Sequence, residues 1–162
     1  MAIVELADLP PSGPLIGLDL GTRTIGVAIS DATRLIASAL ALIERRKFTH
    51  DAAALFSLVE SRAVVGLVIG LPVNMDGTQG VRCQSTRAFA SNLLRLREIP
   101  IAFWDERLSS AAVNRMLIGE ADATRARRGK LVDKLSAAWI LQGALDRLAS
   151  PSLGGPHRLA PE

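Results

Sequence analysis

The stretch Leu15-Ile16-Gly17-Leu18-Asp19-Leu20-Gly21-Thr22-Arg23-Thr24-Ile25-Gly26-Val27-Ala28-Ile29-Ser30 sets two apolar runs on either side of a short glycine-containing turn. Two such runs read as a β-hairpin. One acid, Asp19, stands inside the first run, where an ionised carboxylate is costly unless something cationic meets it. A strand-end aspartate that simply bonds the amides of the following turn competes with that reading, and for one such residue the two weigh about evenly.

Downstream, residues 35–43 (LIASALALI) continue the hairpin rhythm as a third strand, although alanine blurs the period. Residues around 53–59 read as a helix with Thr49 as its N-cap. Residues 64–69 form a continuous apolar run that ends in Gly70-Leu71-Pro72, which suits a buried parallel strand. A Gly/Asn/Asp-rich loop follows to Gly80, then a helix over 81–98 and a buried strand over 99–104 that runs into Asp105-Glu106-Arg107. Ser109 or Ser110 can cap a short helix to Ile118, residues 120–130 read as a basic loop, and 131–148 form the last helix. Three prolines make residues 1–14 an irregular N-terminal arm, and 150–162 read as a flexible tail. A three-stranded antiparallel meander feeding into βαβ units predicts an α/β fold, a mixed five-stranded sheet with helices on both faces, over residues 15–149.

At 162 residues and 17.2 kDa the chain is one ordinary domain. Apolar residues at 49% supply a core, and 22% charged residues give no case for disorder. Lys plus Arg number 19 against 16 acids, a mildly basic balance that favours an anionic partner. One cysteine, Cys83, excludes an internal disulfide and a Cys-built zinc cage, and His50 and His157 are too far apart in sequence to suggest a His-rich metal site. There is no apolar run of about 18 residues and no basic N-terminal leader, so the chain reads as cytoplasmic, with no membrane partner.

Chemistry must then come from carboxylates, hydroxyls or backbone groups. Asp133 shares a helical stripe with Ser136, Ala137, Ile140 and Ala144, small or apolar positions suited to packing on a sheet. An acid in the first turn of a helix also complements the dipole, but that role favours an outward position. Asp105 and Glu106 are adjacent at a strand end and point to opposite faces, so periodicity does not choose between them. A cluster of oxygen donors suits Mg²⁺ or Mn²⁺. Two such ions about 3.5–4 Å apart promote phosphodiester hydrolysis.

Two loops are suited to phosphates: Gly21-Thr22-Arg23-Thr24 directly after Asp19, and Gly70 to Thr78, which contains Asn74, at another strand's carboxyl end. Each alone is more simply a tight turn. Arg125, Arg127, Arg128 and Lys130 precede Asp133 and could gather a polyanion, with Arg107 a further cation. Aromatics are 4% and tyrosine is absent, which argues against a base-stacking platform and for recognition of backbone and shape.

Four segments, GLDLGTRTIGVAISD (17–31), GLPVNMDGTQG (70–80), DERLSS (105–110) and VDKLSAAWILQ (132–142), together resemble the YqgF/RuvX family of bacterial proteins, in order and spacing across residues 15–149. The resemblance implies a ribonuclease-H-like fold and a metal-dependent nuclease, described either as a Holliday-junction resolvase or as maturing the 5′ end of pre-16S ribosomal RNA. It implies catalytic, metal-holding acids at Asp19, Glu106 and Asp133. The choice of Glu106 over Asp105 rests on the resemblance alone, with Asp76 in reserve. Lys134 departs from the small or apolar residue more usual there. The implied cofactor is Mg²⁺ or Mn²⁺. The implied substrate is structured RNA or branched DNA, contacted by Gly21, Thr22, Arg23, Asn74, Arg107, Arg127, Arg128 and Lys130, and the implied assembly is a monomer or weak homodimer.

Two other classes compete. Asp19-Leu20-Gly21-Thr22 also resembles the phosphate loop of the actin and sugar-kinase superfamily, but those enzymes close two such domains around ATP, and this chain holds one. A non-catalytic nucleic-acid-binding module is the other, and the presence of all three acids argues against it.

Overall fold

The central strand forms where the sequence is apolar enough to be buried on both faces. The computed structural model describes residues 3–108 and 125–150, the side chains of 125–134 lying outside the description. The elements are β1 (Leu15–Leu20), β2 (Thr24–Ser30), β3 (Ala37–Glu44), α1 (Phe48–Ser61), β4 (Gly66–Leu71), α2 (Val81–Leu96), β5 (Ile101–Asp105) and α3 (Arg125–Ala149), with single 3₁₀ turns at Leu6–Asp8 and Glu106–Leu108. The short helix expected after Ser109 or Ser110 and the tail beyond Ser150 lie outside the described residues.

The strands form one sheet in the order β3-β2-β1-β4-β5. β1 pairs antiparallel with β2, and β2 with β3, as a meander; β1–β4 and β4–β5 are parallel. The mixed five-stranded sheet expected from the sequence is therefore the observed one. Side chains alternate across it. Ile16, Leu18, Leu67, Ile69 and Ile101 pack with Ala52, Leu55 and Val59 of α1 and Phe89, Ala90 and Leu93 of α2. Leu15, Val68, Ala102 and Trp104 pack with Ala137, Ile140, Leu141 and Ala144 of α3 on the opposite face.

Residues 3–14 lie against the amino ends of the strands: Ile3 bridges Ile101, the Val4 N–H donates to the Ile101 carbonyl at 2.8 Å, and Leu9 is buried. Two helix starts differ from expectation. α1 begins at Phe48 with Lys47 at the N-cap and no side-chain cap, so Thr49 lies within the first turn. The acid of that turn, buried Asp51, accepts the Arg46 N–H at 3.0 Å instead, a charge that also suits the helix N-terminus. α3 begins at Arg125 rather than 131, so the second half of the expected basic loop is helical. Arginine, alanine and lysine are strong helix formers, and one internal glycine, Gly129, costs only about 1 kcal/mol against them.

α3 lies on the sheet where no β-carbon intervenes. A β-carbon on Gly17 would stand 2.6 Å from Leu141 Cβ and 3.1 Å from the Ala137 carbonyl oxygen. Neither is the free end of a flexible side chain, so the helix itself would have to shift. Gly17→Ala is expected to destabilise the fold by about 1–3 kcal/mol, the usual range for overpacking. A urea unfolding midpoint equal to that of the parent chain would contradict this packing.

Candidate active site

Alternation along β1 sends Ile16 and Leu18 under α1 and α2, and Leu15 and Gly17 under α3. Asp19 continues the second set and so belongs to the α3 face, 8% exposed near the carboxyl end of its strand. The parallel register pairs Leu18 with Ile69, which makes Gly70 level with Asp19 on the neighbouring strand, about 4.8 Å away.

Gly70 is the opening through which a second acid arrives. A β-carbon there would meet Ile140 Cδ1 at 2.6 Å, Glu106 Oε1 at 2.8 Å and Glu106 Cγ at 3.2 Å. Glu106 begins the 3₁₀ turn after β5, two strands from β1, and its side chain reaches back over β4 on the α3 face. Asp19 and Glu106 thus share a face and an edge of the sheet.

Asp105 goes the other way. It pairs with Leu71 in register and is fully buried. Its carboxylate is gripped by Arg107: Oδ1 accepts the backbone N–H at 2.9 Å and Nε at 3.1 Å, and Oδ2 accepts Nη2 at 2.6 Å. These bonds raise the Arg107 guanidinium above its ordinary value. Asp105 therefore anchors an arginine on the face away from Asp19.

Asp133 lies in α3, one turn before Ala137, whose carbonyl abuts Gly17. Later turns of α3, at Ala144 and Leu145, pack with Leu9 and Leu15 at the amino ends of the strands, so its earlier turns head toward the carboxyl edge where Asp19 sits. The stripe inferred for Asp133 is buried at Ser136, Ala137, Ile140 and Ala144, each 0% exposed. The side chains of Asp133, Lys134, Arg125, Arg127, Arg128 and Lys130 lie outside the description.

The two loops are more closed than the sequence suggests. The Gly21 N–H donates to the Thr24 carbonyl at 2.9 Å and is not on offer to a ligand, whereas Thr22 and Arg23 are exposed. The Gly21 carbonyl accepts Arg45 Nη1 at 2.7 Å, a contact that sequence reasoning missed; its signal was the basic run 45–47 between β3 and α1. In the second loop the Asn74 N–H donates to the Thr78 carbonyl at 3.0 Å and Asn74 Nδ2 to Thr78 Oγ1 at 2.9 Å. Asp76 Oδ1 accepts the Thr78 N–H at 2.9 Å and its hydroxyl at 2.6 Å. Gly77, at φ +90°, completes the turn beside Arg107, whose Nη1 would lie 3.7 Å from a β-carbon there.

Among the described residues no group of three His, Cys, Asp or Glu side chains is arranged to hold a metal ion. Asp19 and Glu106, on one face and edge, offer only carboxylate oxygens, a donor set suited to Mg²⁺ or Mn²⁺, and Gly70 leaves the space that Glu106 enters clear of a β-carbon.

Comparison with known proteins agrees with this architecture. A family model described as RuvX, Holliday junction resolvase, matches residues 13–147. A protein of Phenylobacterium zucineum named "Putative pre-16S rRNA nuclease" is 71% identical over 153 residues, covering 91% of this chain and 98% of its own length. One of the same name from Rhodospirillum rubrum is 64% identical over 140 residues, covering 86% and 87%. Among solved structures, T. thermophilus RuvC in complex with a Holliday junction substrate superposes with a TM-score of 0.53 at 11% identity, covering 90% of this chain and 99% of that one. The yeast mitochondrial Holliday junction resolvase gives a TM-score of 0.50 at 13% identity, covering 91% and 84%. At such identities the structures attest the fold alone.

The hydrogen bonds from Thr78, first from its hydroxyl and then from its backbone N–H, hold the Asp76 carboxyl below its ordinary 3.8. The folded state thus favours the ionised form. The loop's stabilisation by Asp76 is expected to be complete above the unfolded value and lost only as pH falls through the lowered folded one. An NMR titration of the Asp76 carboxyl carbon with a midpoint at or above 3.8 would contradict this geometry.

Proposed function

This chain belongs to the RuvX family, and from that premise we propose that it is a metal-dependent endonuclease acting on the 5′ end of precursor 16S ribosomal RNA. Nuclease activity follows from the family and from its highly similar relatives. The observation that supports metal dependence is the placement of Asp19 and Glu106 on one face and edge of the sheet, Glu106 lying over Gly70 level with Asp19; the RNA substrate is taken from the names of the relatives. Two carboxylates on one edge repel each other unless cations lie between them.

Asp19, Glu106 and Asp133 are the residues that would hold Mg²⁺ or Mn²⁺, which when bound polarises the scissile phosphate and lowers the pKa of the attacking water. The protein's own part is positional. Asp19 stands near the end of β1 and Glu106 directly follows β5, two strands away, so the paired strands β1, β4 and β5 fix where each acid leaves the sheet. Arg107, oriented by buried Asp105, presents a fixed cation beside the Asn74–Thr78 loop, where a phosphate of the substrate would be received. The helical basic segment with Arg127, Arg128 and Lys130 precedes Asp133 by one to two turns and adds charge for a polyanion.

The family description favours a second reading, resolution of branched DNA. Resolving a four-way junction calls for two sites related by a two-fold axis, so that activity requires a dimer. Comparing cleavage of a 5′-extended 16S RNA fragment with cleavage of a four-way DNA junction separates the two.

Asp19→Asn and Asp133→Asn are each expected to reduce Mg²⁺-dependent cleavage by roughly 100-fold or more, the scale of losing one group that stabilises transition-state charge, while circular dichroism and the unfolding midpoint stay near those of the parent. Undiminished cleavage by either purified variant would overturn the assignment. Gly70→Ala tests the same placement differently. The displaced atoms are Ile140 Cδ1 and the Glu106 side chain rather than backbone, so the fold should survive, at some cost in stability, while cleavage falls, and an unchanged rate would show that Glu106 does not work from this position.

A further inference from the structure

The sheet order puts β3 on the opposite side of β1 from β5 and Arg107. Where β3 passes into α1 the chain reads Glu44-Arg45-Arg46-Lys47. β3 runs parallel to β1, so this junction lies at the same carboxyl edge as Asp19. The Arg45 N–H donates to the Arg23 carbonyl at 2.8 Å, its Nη1 donates to the Gly21 carbonyl at 2.7 Å, and its guanidinium stands 5.8 Å from the centre of the Phe89 ring. Gly21 is two residues beyond Asp19, about 7 Å of extended chain. Arg45 is therefore fastened to the turn that leaves the acidic strand.

Arg23, Arg46 and Lys47 are exposed around it. Among the described residues none of these four cations forms a salt bridge with a carboxylate. Buried Asp51 takes the backbone N–H of Arg46 and the ring of His50, not the Arg46 guanidinium. A basic run is ordinarily a solvated loop. Here one member is held in place by a carbonyl and an aromatic face, and the group shares an edge with carboxylates that would repel a polyanion.

We propose that Arg23, Arg45, Arg46 and Lys47 form a second phosphate cradle, which binds the nucleic-acid backbone where it leaves the cleavage position along the sheet edge, past the β1–β2 turn and the β3–α1 junction. This rests on the nuclease reading and deepens it: the substrate is gripped on both sides of the acids, by Arg107 beyond β4 and β5 and by this cluster at the turn after β1 and the end of β3. Recognition is of phosphates, with guanidinium forks suited to bidentate contact, and is independent of base sequence.

The test measures binding of a short fluorescein-labelled RNA duplex, and of the matching DNA duplex, by anisotropy across a KCl series in EDTA. Removing one cation that meets a phosphate makes the slope of log affinity against log salt shallower by about 0.9. R46Q/K47Q is expected to bind more weakly with a slope shallower by about 1.8, and R45Q by about 0.9, while R62Q, at the far end of α1, keeps the parent slope. Weakening on either duplex supports the cradle, and the duplex whose binding weakens more identifies the preferred polymer. Parent-like slopes for both R46Q/K47Q and R45Q, or no binding of either duplex by the parent chain, would overturn it. Cleavage in Mg²⁺ is scored separately. A parent that binds with full slope but does not cut removes the nuclease reading and leaves the cradle. A parent that cuts, with R46Q/K47Q unchanged in KM, removes the cradle alone.

Discussion

Two missing β-carbons govern how α3 meets the sheet. At Gly17 the helix backbone comes so close that any side chain would strike Leu141 or the Ala137 carbonyl; at Gly70 the vacated space is taken by Ile140 and the Glu106 carboxylate. Both glycines lie on the face that carries Asp19. Close approach at the first brings the helix bearing Asp133 onto that face, and clearance at the second lets an acid from beyond β5 reach back toward β1. Interiors pack at near-crystalline density, so such space exists only where residues leave it.

Electrostatics then separates two neighbouring acids into two jobs. Asp105 is wholly buried, and a carboxylate in that position is tolerable because Arg107 meets both its oxygens. Glu106, one residue on, is half-buried at the edge shared with Asp19. One acid organises a cation; the other stands on the face of the sheet that carries Asp19. Cations at Arg107 and at the β3–α1 junction bracket that edge, so a polyanion approaching the carboxylates meets positive charge on both sides.

Much of the architecture could be read directly from the residues. The first strand, 15–20, was legible to the residue because an apolar run closed by Gly21 has no competing period. The two parallel strands were displaced by only one or two residues, since their runs are buried on both faces. Helix starts were less legible. Thr49 looked like a cap, but the turn is served by Asp51 from inside the helix. The charge of 125–130 suggested a loop, although those residues favour helix once a packed segment follows them. The loops offered apparent phosphate-binding amides that are in fact bonded within their own turns, at Gly21 and Asn74, because local hydrogen bonds cannot be counted from composition.

What the sequence determined by itself is the order of strands and helices, the absence of thiol or imidazole clusters, and the presence of carboxylates at element ends; these follow from periodicity and residue chemistry, which are local. What only the tertiary structure decided is which acids share a face. Alternation told that Asp105 and Glu106 diverge, but the direction of each depended on the pairing of β5 with β4 and on the space above Gly70. The Arg45 contact with the turn after Asp19 likewise needed β3 folded back beside β2. Proximity between residues far apart in the chain is a property of the packed sheet and helix, not of either segment alone.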